Sequence, residues 1–122
     1  MLMREALAAL AACAWLAGCA GPAREAGALG GDPGRGAMLI VRYGCAGCHE
    51  IPGIGAARGE VGPPLDGMGE RVFIAGRVPN TPANLSRWVR RAQDVLPGGA
   101  MPNIDMGEQD SRDIAAYLHT LR

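Results

Sequence analysis

The 122-residue chain contains no lysine: all 12 basic residues are Arg, matched by 12 acidic residues. The net charge is zero and no block of like charge reaches five residues. That argues against nucleic acid as a partner and against a strongly steered, highly charged docking face. Large side chains are also scarce. The aromatics are Trp15, Tyr43, Phe73, Trp88 and Tyr117, whereas Gly and Pro number 19 and 9. A domain of roughly 90 residues with so few large side chains is marginal, because small domains bury too little surface. Such scaffolds need a staple. No Ser-His-Asp arrangement and no phosphate-cradling glycine loop stands out.

The N-terminal segment reads as an address. Met1-Leu2-Met3-Arg4 is a short basic start diluted by Glu5, and Ala6 to Ala17 is an apolar run. That run is too short to cross a bilayer as a mature helix, and the combination is that of a secretory signal peptide. It ends in Leu16-Ala17-Gly18-Cys19, which resembles the lipobox of bacterial lipoproteins, where the cysteine is lipidated and becomes the new N-terminus. Leu10-Ala11-Ala12-Cys13 fits the pattern too but leaves a very short apolar core, so Cys19 is the better site. The alternatives are a signal peptide cut near Ala20 to Ala23, and an uncleaved anchor. Residues 21–31 show no apolar periodicity and read as a flexible tether. The expected organisation is a lipoprotein-type signal peptide over 1–18, a tether over 19–31 and one domain over 32–122.

Within the domain, Cys45-Ala46-Gly47-Cys48-His49 is the attachment signature of a c-type haem. Two thiols can add across the two vinyl groups of one porphyrin, and the adjacent histidine is placed to ligate the iron. A buried haem would supply a flat apolar partner for the missing core. Zinc fits poorly, since a structural site needs four ligands and only Cys45, Cys48, His49 and the distant His119 are obvious candidates after export. A thioredoxin-like redox pair would want a strand–helix context that is not evident.

Around the motif, Asp32-Pro33 reads as a helix start, with Asp as N-cap and Pro at the first helical position. A short helix with a wide apolar face then leads to Gly44, and Gly36 would let another helix cross closely. Residues 51–61 form a Gly-rich loop. Val72 to Gly76 is a strand fragment or a loop lining a haem edge. Thr81-Pro82 starts a helix expected to run to about Gln93, with Leu85, Trp88, Val89 and Ala92 on one face. Arg87, Arg90 and Arg91 lie off that face, either as a solvated surface or as a contribution to docking or propionate neutralisation. The last helix is expected from about Gly107 or Glu108 to Leu121. Acidic Glu108, Asp110 and Asp113 lie at its start, as the helix dipole favours. Its apolar stripe is Ile114, Tyr117, Leu118 and Leu121, with His119 off the stripe and exposed. Met38 and Met68 are assigned to packing.

C-x-x-C-H, Gly62-Pro63-Pro64-Leu65-Asp66-Gly67 and Met101-Pro102 before a terminal helix occur in that order. Over roughly residues 32–121 this resembles class I cytochrome c. The resemblance implies a small all-α cytochrome c fold, three to four short helices and Gly/Pro-rich loops wrapped around one covalently attached haem c. It implies that the Pro63 carbonyl accepts a hydrogen bond from the second nitrogen of His49. It makes Met101, 52 positions after His49, the second axial ligand; Met106 competes but lacks the following proline. Trp88 is similar to the family tryptophan that donates to a haem propionate, a core aromatic being the alternative. In that family the first-helix glycine usually lies eight positions before the first haem cysteine; Gly36 lies nine before Cys45.

The expected function is electron transfer between respiratory-chain or periplasmic oxidoreductases by a membrane-tethered carrier that is not an enzyme. Partners are a terminal oxidase or a dehydrogenase, with neither nucleic acid nor a small-molecule substrate. The expected location is the periplasmic face of a bacterial membrane, held by a lipid anchor. The alternatives are a haem-bearing subunit of a larger oxidoreductase, or a haem enzyme or gas sensor with an open distal site. No distal histidine favours the last.

Overall fold

The Asp32 carboxylate accepts the Arg35 N–H at 3.1 Å and Pro33 occupies the first turn, so α1 (Pro33–Arg42) begins where its cap dictates. The computed structural model describes residues 30–122; Cys13, Cys19 and the signal and tether segments lie outside them. A 3-10 turn at Cys45–Gly47 follows, then a loop and a second 3-10 turn at Met68–Glu70. A two-residue antiparallel hairpin comes next, β1 (Phe73–Ile74) and β2 (Val78–Pro79). Ala75 and Gly76 turn it, both with positive φ, 51° and 64°. α2 (Pro82–Arg90), α3 (Ala92–Val95) and α4 (Glu108–Leu118) complete the fold.

Thr81 caps α2 as expected, its hydroxyl accepting the Asn84 N–H at 3.2 Å. The expected run to Gln93 is interrupted. Arg91 leaves helical geometry at φ −134°, and its backbone bridges to Asn103 while Ile104 N–H bonds Arg90 O at 3.0 Å. Pairing with a distant loop therefore breaks the helix one turn early.

α1 and α4 pack together, and α2 packs on α4. Leu39 and Ile40 of α1, Leu85 and Val89 of α2, and Ile114, Ala115 and Leu118 of α4 meet in one buried cluster. Each such large aliphatic side chain contributes about 1.5–3 kcal/mol by leaving water. Gly36 is what lets α1 approach: a Cβ there would lie 2.0 Å from Asp113 O. The spacing of nine to Cys45 thus still places the glycine at the helix crossing.

Polar side chains tie the crossing. Arg35 pairs with both Asp110 and Asp113, the Tyr43 hydroxyl donates to Asp110 at 2.6 Å, and the Asp32 N–H donates to Asp113 at 2.8 Å. Asp113 is therefore a buried partner of α1 rather than an exposed dipole residue. Between α2 and α4, the buried hydroxyls of Ser86 and Ser111 bond at 2.8 Å.

Two side chains differ from expectation. Met38 is 67% exposed on the outer face of α1, whereas Met68 packs in the core. The α1 face that meets α4 holds Gly36, Leu39 and Ile40, which leaves Met38 pointing away. His119 is half-buried at the end of α4, its Nε2–H donating to Asn80 Oδ1 at 2.9 Å. Burial, then Arg122, pushes its pKa down. The chain closes behind it, with Gly69 N–H bonded to Leu121 O at 2.8 Å.

Candidate functional site

Gly44, at φ 74°, turns the chain out of α1 into the 3-10 turn that carries the attachment motif. Cys48 N–H and His49 N–H both bond Cys45 O, at 3.1 and 3.0 Å. The two thiols are free, Cys45 half-buried and Cys48 exposed. Burial pushes the Cys45 thiol up. The following loop folds back onto the motif through three backbone bonds. Gly62 N–H donates to Cys48 O at 2.7 Å, Leu65 N–H to Glu50 O at 2.9 Å and Gly59 N–H to His49 O at 3.2 Å.

That return is possible only because two of its residues lack side chains. A Cβ on Gly59 would lie 2.5 Å from the Cys48 carbonyl carbon, and one on Gly62 would lie 2.3 Å from His49 Cε1. Gly62 thus cradles the imidazole. His49 Nδ1 lies 2.7 Å from Pro63 O. A carbonyl can only accept, so Nδ1 carries a proton, and in the neutral ring Nε2 keeps its lone pair. A ligating histidine needs this arrangement, with one nitrogen fixed by an acceptor and the other bare. The two free thiols, the oriented imidazole and the glycine cradle fit a covalently attached haem. Among the described residues no group of three or more His, Cys, Asp or Glu is placed to hold a metal ion.

Met101 sits half-buried in the loop between α3 and α4. Met106, its competitor, is 8% exposed and belongs to the polypeptide core. Trp88, on α2, is half-buried and packs against the same core. His49 and Pro63 are therefore brought together by direct contact, while Trp88 and Met101 occupy a helix and a loop of their own.

The Met101 loop has a scaffold that sequence patterning does not reveal. Gln93 Nε2 donates to Gly99 O at 2.8 Å and to Met101 O at 2.6 Å, and its Oε1 accepts the Gly98 N–H at 2.9 Å. Its own N–H donates to Asn103 Oδ1 at 2.9 Å. A glutamine beyond the apolar stripe of a helix carries no periodic signal; the Gly98-Gly99 pair after Pro97 is the visible clue that something must pin the loop.

A family model described as Cytochrome c matches residues 34–122. Cytochrome c oxidase subunit 2 of Alkalihalophilus pseudofirmus is 34% identical over 110 residues, covering 89% of this chain and 31% of that protein. The chain thus spans under a third of the length of this relative. The solved structure of SoxXA from P. pantotrophus has a TM-score of 0.60 at 24% identity, over 74% of this chain and 81% of that one. Cytochrome c2 from Rhodobacter sphaeroides has a TM-score of 0.53 at 18% identity, over 75% and 96%. At those identities the likeness to the solved structures is one of fold.

Proposed function

The chain belongs to the cytochrome c family, whose members carry a covalently attached haem c, and from that premise we propose that it is a membrane-tethered electron carrier with His49 and Met101 as axial ligands. In this reading Cys45 and Cys48 hold the haem through thioethers, and the group supplies a one-electron iron couple. The Pro63 carbonyl fixes the plane and basicity of the imidazole by accepting the hydrogen bond from Nδ1–H. The Met101 thioether would supply the second iron ligand, which would leave the iron no site for substrate and make the protein a carrier rather than an enzyme. Met/His ligation raises the reduction potential, which suits donation late in a respiratory chain. The Trp88 indole serves a propionate.

The observation that carries this reading is the 2.7 Å contact between His49 Nδ1 and Pro63 O, which leaves Nε2 as an oriented donor beside two free thiols. The proposed partners are a dehydrogenase as donor and a terminal oxidase as acceptor; the likeness to an oxidase subunit 2 supports the latter. It also favours a second reading, in which the domain is a haem-bearing subunit of a larger oxidoreductase. No helix of the described residues is long and apolar enough to cross a membrane. The proposed attachment to the periplasmic face of a bacterial membrane rests on lipidation of Cys19, outside those residues.

The test is the absorption spectrum of haem-loaded protein beside Met101→Ala. A low-spin reduced haem and a weak sulfur-to-iron band in the far red, lost in the variant, are expected. A high-spin iron that readily binds carbon monoxide in the unaltered protein would support a haem enzyme or gas sensor instead.

A further inference from the structure

Gln93 bonds to both sides of the turn that leads to Met101. One end of its amide holds the carbonyls of Gly99 and Met101, at 2.8 and 2.6 Å; the other holds the Gly98 N–H at 2.9 Å. Gly98 is in the left-handed region at φ 79°, so this stretch follows neither a helix nor a strand. Its shape is set by a side chain, and the tightest of the three bonds is to the backbone of Met101 itself. The scaffold is anchored in turn, because the Gln93 N–H bonds Asn103 Oδ1 and Asn103 bridges to Arg91. The break between α2 and α3 therefore belongs to the same assembly.

We propose that Gln93 is the positioning residue for Met101, its amide fixing the loop so that the thioether is presented ready-made to the iron. The proposal rests on the reading of Met101 as an axial ligand. A ligand held in place loses little freedom when it binds. A loop released from Gln93 must be ordered each time the sulfur ligates, so an outside ligand competes better. A carbonyl stripped of its partner is also penalised unless it swings out to water, which biases the loop away from the ligating position.

Gln93→Glu tests the donor role directly. It keeps the shape and can still accept the Gly98 N–H, but its carboxylate cannot donate to Gly99 O or Met101 O. Gln93→Ala removes all three bonds and serves if the Glu variant fails to load haem. The measurement is imidazole binding to the oxidised, haem-loaded protein, followed by loss of the sulfur-to-iron band. Two such hydrogen bonds correspond to about a ten- to hundredfold gain in imidazole affinity for either variant. Gly36→Ala, which strains the distant crossing of α1 and α4, controls for general loss of stability and is expected to stay within about twofold of the unaltered protein.

The proposal is overturned if both Gln93 variants bind imidazole like the unaltered protein, or if Gly36→Ala gains as much as they do. Met101→Ala separates the two ideas. If it binds imidazole far more tightly than the unaltered protein while the Gln93 variants do not, the Gln93 assignment alone is wrong. If it binds no more tightly, Met101 is not a ligand and both fall.

Discussion

Replacing Gly36 with alanine places one methyl group where α1 and α4 touch. An ideal Cβ would lie 2.0 Å from Asp113 O, 2.6 Å from its carbonyl carbon and 3.1 Å from Ile114 N. A carbon–oxygen contact needs about 3.3 Å, so α1 must withdraw by about 1.3 Å. All three of these atoms are backbone, so nothing can rotate aside. Overpacking of this kind costs about 1–3 kcal/mol. Withdrawal also stretches the 2.8 Å bond from Asp32 N–H to the buried Asp113 carboxylate, and losing one hydrogen bond to a charged group costs about 1.5–3 kcal/mol more. Against this, alanine is favoured over glycine inside a helix by about 0.8–1 kcal/mol. The expected net loss is about 1.5–5 kcal/mol. It is read from denaturant unfolding of the haem-loaded protein by far-ultraviolet circular dichroism. Gly34→Ala, in the same helix, is the control. Its Cβ meets only the Asp32 side chain, at 3.3 Å, so no loss is expected. A Gly36→Ala variant as stable as the parent, or a Gly34→Ala variant that loses equally, would refute the tight crossing.

Acid should act through the same crossing. The Tyr43 hydroxyl, then Arg35, holds the Asp110 carboxyl below its ordinary value. Burial pushes Asp113 up, but the Asp32 N–H, Arg35 and Gln109 together hold it below the usual carboxylate value. Groups depressed in the folded state stabilise fully above the unfolded carboxylate value of about 3.9, and that stability drains away as pH falls through their folded values. Unfolding free energy measured downward from about pH 6 should therefore fall, and less steeply in Asp113→Asn; an unchanged slope in that variant would contradict the assignment. At the hairpin, Ala75 holds a left-handed φ of 51°, so Ala75→Gly is expected to stabilise by about 0.5–1 kcal/mol. A fall in the denaturant midpoint of that variant would show that the turn is not strained.

The features readable from sequence are those whose physics is local. Asp32-Pro33 and Thr81-Pro82 start their helices where cap and proline chemistry require, and both hydroxyl or carboxylate caps are made. The apolar spacing of α2 and α4 picked out Leu85, Val89, Ile114 and Leu118, which form the core. The features that escaped depend on distant partners. Arg91 breaks a helix that its own neighbours would continue, because Asn103 pairs with it. His119 lies off the apolar stripe yet is drawn inward by Asn80, whose Nδ2 is committed to Met68 O and Arg71 O. Asp113 sits where a solvated acid would suit the helix dipole, but Gly36 brings α1 down over it. At the site, the three motifs in order pointed to the right family and named Pro63, which lies against His49. The Gln93 scaffold had no motif to announce it.

Proton resonance of the reduced, haem-loaded protein tests the central proposal most directly, because a methionine methyl bound at the iron lies over the porphyrin face and is shifted far upfield by its ring current. One such three-proton signal is expected, present in Met106→Leu and absent in Met101→Ala. A signal lost in Met106→Leu but kept in Met101→Ala, or no such signal in the unaltered protein, would contradict a carrier ligated by His49 and Met101.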